Sequence, residues 1–165
     1  MKSAERLMGM DDRAWARHAN PWSAWTRVPI LPLIVALLWV REVLGWWLIL
    51  PLGVVLAWIW ANPRAFPPPA STRSWASRAV MGERVWLARR EVPIPRHHAL
   101  WIGLLVYLPV LGLLPLIWGV WTFEPWATLG GLALTLCAKF WFLDRCVWLF
   151  DDMARTEPRY AAWLR

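Results

Sequence analysis

The chain has 165 residues, of which 59% are hydrophobic and 17 are tryptophan, and its formal net charge is +7. This length fits a single domain over residues 1–165 rather than two sizeable domains. The basic charge does not indicate a nucleic-acid partner, because the arginines cluster beside long apolar runs, as in membrane proteins. Cys137 and Cys146 lie on one predicted helix, too far apart along its axis to form a disulfide.

Tryptophans mark the ends of the apolar runs. An indole has a large apolar body and one N–H donor, so it favours the boundary between hydrocarbon and headgroups. The pattern predicts an integral membrane protein with four spans. The tryptophans that mark its interfaces are Trp22, Trp25, Trp39, Trp46, Trp47, Trp58, Trp60, Trp101, Trp118, Trp121, Trp126, Trp141 and Trp148.

The first two spans are predicted to form a hairpin. We expect the first span over about residues 25–40 and the second over about residues 43–61. The first is short for a hydrocarbon core of about 30 Å, so it either thins the bilayer or packs mostly against protein. Arg41 and Glu42 leave only a tight turn between the spans, which requires the two helices to run antiparallel.

An amphipathic helix is predicted after this hairpin, over about residues 71–91. Trp75, Ala79, Gly82 and Trp86 recur at helical spacings and therefore share one face. Aromatic anchors combined with arginines are typical of a helix that lies in the membrane surface. The alternative is a soluble cap packed over the bundle. The arginines that we expect to bind lipid headgroups are Arg73, Arg78, Arg84, Arg89 and Arg90.

The last two spans are predicted over about residues 100–120 and 126–148. Pro109 and Pro115 predict a bent third helix, because a proline removes a backbone hydrogen bond. The predicted fold class is therefore an all-α membrane protein with four transmembrane helices. These form two antiparallel hairpins, and the amphipathic helix lies between them on the cytoplasmic surface.

Basic residues predict the orientation of the chain. Almost all of them fall in residues 1–27, in residues 62–98 and after the fourth span, whereas the two short turns hold few. Positive charge in short loops stays on the cytoplasmic side. We therefore expect a multi-pass protein of the cell inner membrane with both termini cytoplasmic. Gly130 and Gly131 would allow close approach of a neighbouring helix, which leaves a homo-oligomer open.

Polar groups that could react concentrate in the segments predicted to be cytoplasmic. Asp144 and Asp151 share one face of the fourth helix with Trp148 between them. The commoner use of such groups is a structural ion-pair network. The alternative is a small membrane enzyme with a possibly metal-dependent site. Its candidate catalytic residues are His18, Glu83, His97, Asp144 and Asp151, and its candidate metal ligands are His97, His98, Asp144 and Asp151.

No spacing in the chain is diagnostic of a particular chemistry. The sequence has no H-E-x-x-H, no glycine-rich phosphate loop and no G-x-S-x-G elbow. The cofactor and any enzymatic activity therefore stay open at this stage.

Four blocks of sequence resemble an uncharacterised prokaryotic family of small integral membrane proteins, catalogued as a domain of unknown function. They are residues 17–27 (RHANPWSAWTR), 62–67 (NPRAFP), 82–86 (GERVW) and 143–153 (LDRCVWLFDDM). The resemblance implies a four-helix membrane protein. It implies no activity and no catalytic residues.

The expected function is a binding or assembly role at the cytoplasmic membrane face. The expected partners are the lipid bilayer, anionic lipid headgroups and other membrane subunits, because each basic group near an anionic surface contributes about 1 kcal/mol of attraction.

Overall fold

The computed structural model describes residues 11–165, and every regular element in this range is a helix. Lys2 and Arg6, two of the basic residues behind the predicted orientation, lie outside the described residues. A 3₁₀ turn over Gly45–Leu48 separates two of the helices. The helices are α1 (Asp12–His18), α2 (Pro21–Trp25), α3 (Ile30–Trp39), α4 (Arg41–Leu44), α5 (Ile49–Ala65), α6 (Trp75–Leu87), α7 (Arg96–Leu105), α8 (Leu108–Thr122), α9 (Pro125–Thr156) and α10 (Pro158–Ala161).

Four helical stretches are long and apolar enough to cross a membrane. They are Pro21–Trp39, Arg41–Ala65, Arg96–Thr122 and Pro125–Thr156. Each begins before the residue expected from the sequence or ends after it. The longest, α9, has 32 residues and a length of about 48 Å, so it extends well beyond an apolar core of about 30 Å.

Prolines shape the stretch from α7 to α8. Helix α7 ends at Leu105, and α8 begins at Leu108 with Pro109 in its first turn. A proline is tolerated there because its missing N–H would have no helical partner in any case. The stretch is therefore interrupted at Val106 and Tyr107, just before Pro109, whereas Pro115 lies inside the continuous α8.

Helices α8 and α9 pack closely through glycines. A Cβ atom built on any of three glycines would overlap a neighbour on the facing helix. The facing pairs run in opposite chain directions: Gly112 with Thr135, Leu116 with Gly131 and Gly119 with Thr128. Gly131 therefore permits the close approach expected from the sequence, whereas Gly130 has nothing within 4 Å of such a Cβ.

Arg41 joins α3 to the end of α8. Its Nη1 donates to Leu38 O (2.8 Å) and to Val120 O (2.7 Å), and its Nη2 donates to Trp121 O (2.9 Å). Its guanidinium also lies 3.8 Å from the ring centre of Phe123. Carbonyls at a helix C-terminus lack backbone partners and carry partial negative charge, so a guanidinium satisfies them well.

The main hydrophobic core lies where α1, α6, α7 and α9 meet. Val85, Ile102, Cys146, Leu149 and Phe150 have no exposed surface there. A smaller apolar cluster joins α3 to α8. The most apolar window of Arg41–Ala65 has no buried residue, and α5 is attached mainly at its end, through buried Asn62 and Pro63.

Candidate functional site

Polar residues concentrate at one end of the bundle, which is formed by α1, α2, α6 and the second half of α9 and is called the polar end below. Helix α6 lies against α9 so closely that a Cβ on Gly82 would overlap the backbone carbonyl of Cys146. The face that carries Ala79 and Gly82 is thus buried on α9. Helix α6 is therefore packed on the bundle through this face.

Side-chain contacts fasten α6 to α9, and two of them involve Asp144 and Asp151. The indole N–H of Trp75 donates to Asp144 Oδ1 (3.1 Å), and Arg78 Nη1 donates to Asp151 Oδ2 (2.7 Å). Asp144 and Asp151 therefore do share one helical face, and each has a partner on α6. The Arg78–Asp151 pair is about one-third exposed on both sides, so it is a partly solvated ion pair.

A chain of buried hydrogen bonds ties α1 and α2 to the end of α5. Ser23 Oγ donates to Asn62 Oδ1 (2.8 Å), and Asn62 Nδ2 donates to Thr26 Oγ1 (2.8 Å). His18 Nδ1 lies 3.1 Å from Ser23 Oγ. Because the hydroxyl proton of Ser23 is used on Asn62, the network assigns the imidazole proton to Nδ1. His18 therefore donates to Ser23 and does not act as its base.

Burial sets the charge of His18. Desolvation, reinforced by the positive charges of Arg27 and Lys139, lowers the pKa of His18 from 6.5 to about 3. The imidazole is thus neutral at physiological pH. Nearby, Asn20 Nδ2 donates to Pro67 O (2.9 Å) and holds the segment that follows α5.

A cavity of about 320 Å³, called the interhelical cavity below, lies beside this network between α2, α3, α6, α8 and α9. Its charged residues are Arg27, Glu83 and Lys139. Lys139 Nζ lies 3.6 Å from Glu83 Oε1, and Arg27 Nε donates to Ser23 O (3.1 Å). Most of the remaining lining is apolar: Ala24, Val28, Leu31, Trp75, Ala76, Ala79, Val80, Pro109, Leu136, Phe140 and Leu143.

A cluster of two histidines and one carboxylate lies between α7 and α9. His98 Nε2 is 2.9 Å from Asp152 Oδ2, and His97 Nε2 is 4.0 Å from the same oxygen. His98 is 1% exposed, whereas His97 is more than half exposed. The sequence predicts Asp144 and Asp151 as metal ligands, but these two carboxylates contact α6, and the carboxylate beside the histidines is that of Asp152.

The five arginines expected to bind headgroups lie in different surroundings. Arg78 pairs with Asp151, and Arg84 pairs with Asp12. The Arg84 guanidinium also lies 4.5 Å from the ring centre of Trp163, and that of Arg89 lies 3.9 Å from the ring of Trp86. Arg73 and Arg90 are exposed.

The candidate catalytic residues contact different partners. Glu83 lies in the interhelical cavity, His18 in the buried network and His97 beside Asp152. The sequence alone does not connect Arg27 with Lys139, because each resembles an ordinary basic residue at the edge of a span. Their positions in the sequence, inside the first and fourth apolar stretches, were the available signal.

The fold and these sites define an all-helical protein with four helices able to span a membrane and a charged cavity at its polar end. The chain belongs to a family of unknown function, DUF6653, whose model matches residues 2–164. No curated protein and no solved structure matches the chain.

Proposed function

We propose that this protein binds anionic lipid headgroups at the cytoplasmic face of the cell inner membrane, in the interhelical cavity. The observation that carries the proposal is that two cations, Arg27 and Lys139, line a mostly apolar cavity that holds a single carboxylate, Glu83, which is paired with Lys139. Two cations and one carboxylate leave one positive charge for an anion. A charge at a span edge usually has a partner, and a phosphate oxygen is a suitable one for a guanidinium.

The apolar part of the cavity favours a lipid over a water-soluble anion. Leu31, Leu136 and Phe140 belong to the first and fourth candidate spans, so the cavity continues toward the apolar part of the protein. A headgroup phosphate near Arg27 and Lys139 would place its acyl chains along these residues. Burial of each additional CH₂ group stabilises such a complex by about 0.8 kcal/mol.

This proposal includes an arrangement in the membrane. The four candidate spans form two antiparallel hairpins, with both termini cytoplasmic and with α6 at the cytoplasmic edge. The excess of basic residues at the polar end supports this orientation. Fusion of green fluorescent protein or alkaline phosphatase to the C-terminus tests it. We expect fluorescence without phosphatase activity, and the reverse result would contradict the orientation.

The lipid proposal is tested by native mass spectrometry of the full chain in mixed micelles with phosphatidylglycerol or phosphatidylcholine. We expect one retained phosphatidylglycerol per chain. Each lost charge should weaken binding by about 1 kcal/mol, or about fivefold. The double variant Arg27→Gln and Lys139→Gln should therefore bind phosphatidylglycerol about 25-fold more weakly, with little change for phosphatidylcholine.

The matched control is the double variant Arg73→Gln and Arg90→Gln, which removes two exposed arginines outside the cavity. It should retain phosphatidylglycerol as the unchanged protein does. Equal loss in both double variants would indicate general attraction to an anionic surface and would contradict the cavity. A measured mass equal to that of the protein alone, or an added mass explained only by protein subunits, would instead favour an assembly role.

A further inference from the structure

We propose that His97, His98 and Asp152 form a binding site for a divalent transition-metal ion of the zinc class. The two histidines occupy the first turn of α7, and Asp152 lies near the end of α9. Each residue offers one ligand atom, and these atoms all lie within 4.8 Å of one another. Among the described residues, this group brings together the ligand types that zinc prefers.

The separations suit a single ion. Bonds of about 2.0–2.2 Å in tetrahedral geometry place ligand atoms about 3.4 Å apart. The distances from Asp152 Oδ2 to the two Nε2 atoms are 2.9 Å for His98 and 4.0 Å for His97, so they bracket this value. The His97 side chain is 62% exposed and can rotate toward the ion without disturbing the core.

The framework of the site is rigid on the side of His98. His98, Ile102 and Leu105 recur on one face of α7, and each is at most 2% exposed. Asp152 follows the fully buried Phe150 on α9. Arg155 Nη1 lies 3.8 Å from Asp152 Oδ1, the oxygen that faces away from the histidines. The buried His98 therefore loses little conformational freedom when an ion binds.

Two imidazoles and one carboxylate match the open type of zinc site. Such sites use three protein ligands and keep one further position for water or another ligand. The exposure of His97 and Asp152 places that position toward solvent. A shared metal ion also explains why two imidazole rings, with centres 4.1 Å apart, approach the same carboxylate oxygen.

The simpler explanation is a hydrogen bond from His98 to Asp152 that serves only to satisfy a buried imidazole. This explanation predicts that His97, a largely exposed side chain, contributes nothing to zinc binding. The two explanations therefore differ in what His97 does, and His97 can be removed with little risk to folding.

The test is zinc titration of the full-length protein in detergent after chelation, by calorimetry and elemental analysis, with an affinity tag free of histidine. The informative variants are His97→Ala and Asp152→Asn. The amide introduced by Asp152→Asn keeps an acceptor for His98 while it loses the charge that holds the ion. The control is Asp144→Asn, which removes a carboxylate outside the cluster and keeps an acceptor for the Trp75 indole.

We expect one zinc per chain in the unchanged protein and in the Asp144→Asn variant. Loss of a ligand should weaken binding at least about tenfold in His97→Ala and in Asp152→Asn, by comparison with the roughly 10- to 100-fold effect of removing an outer-shell partner. Absence of stoichiometric zinc from the unchanged protein would overturn the proposal. Zinc affinity unchanged in His97→Ala, or lost as strongly in Asp144→Asn, would also overturn it.

Discussion

Replacement of Gly82 by alanine tests how closely α6 lies on α9. The added Cβ would overlap the backbone carbonyl of Cys146, which belongs to the middle of a continuous helix and cannot rotate away. The two helices must therefore separate, and the packing of Val85 and Leu149 between them loosens. Overpacking of a close-packed core costs about 1–3 kcal/mol, and contact with rigid backbone places Gly82→Ala near the upper value.

The matched controls are Gly53→Ala and Gly130→Ala, where a Cβ atom meets nothing within 4 Å. At such helical positions alanine raises the free energy of unfolding by about 0.5–1 kcal/mol relative to glycine, because it loses less backbone entropy on folding. When the three variants are unfolded thermally in one detergent, only Gly82→Ala should have a lower Tm than the unchanged protein. A change of about 1 kcal/mol corresponds to about 2–4 °C in a chain of this size. A Tm for Gly82→Ala at or above that of the controls would refute the close packing.

Three further predictions concern the other polar contacts. Because burial lowers the pKa of His18 from 6.5 to about 3, the unfolded chain takes up more protons as the pH falls through this range. The contribution of His18 to the free energy of unfolding is therefore complete above pH 6.5 and is smaller by about 2 kcal/mol at about pH 5. Denaturant unfolding above pH 6.5 and at about pH 5 should show this loss in the unchanged protein and lack it in His18→Gln. Asn62→Ala leaves Ser23 without its acceptor and should cost about 1–3 kcal/mol in denaturant unfolding, whereas an unchanged free energy of unfolding would contradict this network. Arg41→Met removes three hydrogen bonds to the ends of α3 and α8 and should lower stability by about 1–3 kcal/mol, whereas an unchanged Tm would show that these contacts are replaced by water.

The apolar helices could be predicted from the sequence because hydrophobic length and helical period are local properties. The face of α6 was also visible, since Ala79 and Gly82 recur at helical spacing. What the face contacts was not visible. A small-residue face with aromatic neighbours fits either a lipid surface or a second helix, and only the facing Cys146 backbone distinguishes them.

The partners of the charged residues were the least predictable feature. Asp144 and Asp151 share a face of α9, and that local regularity made them candidates for one site. Asp152 lies about 100° further around the same helix and contacts α7, which is distant in sequence. Pairing of this kind depends on how helices approach each other in space, so a single sequence gives no reason to prefer Asp152 over Asp151.

The position of the two proposed sites on α9 makes them independent in a testable way. The helix rises about 20 Å from Lys139 to Asp152, and the two residues point in different directions around its axis. Removal of one charge should therefore leave the other site unchanged, since variants at this distance with no shared partner usually act additively. We expect Lys139→Gln to keep its zinc affinity and Asp152→Asn to keep its retained phosphatidylglycerol. If both variants lost both ligands, the common cause would be disorder of the α6–α9 contact, and neither side chain could then be assigned to its ligand.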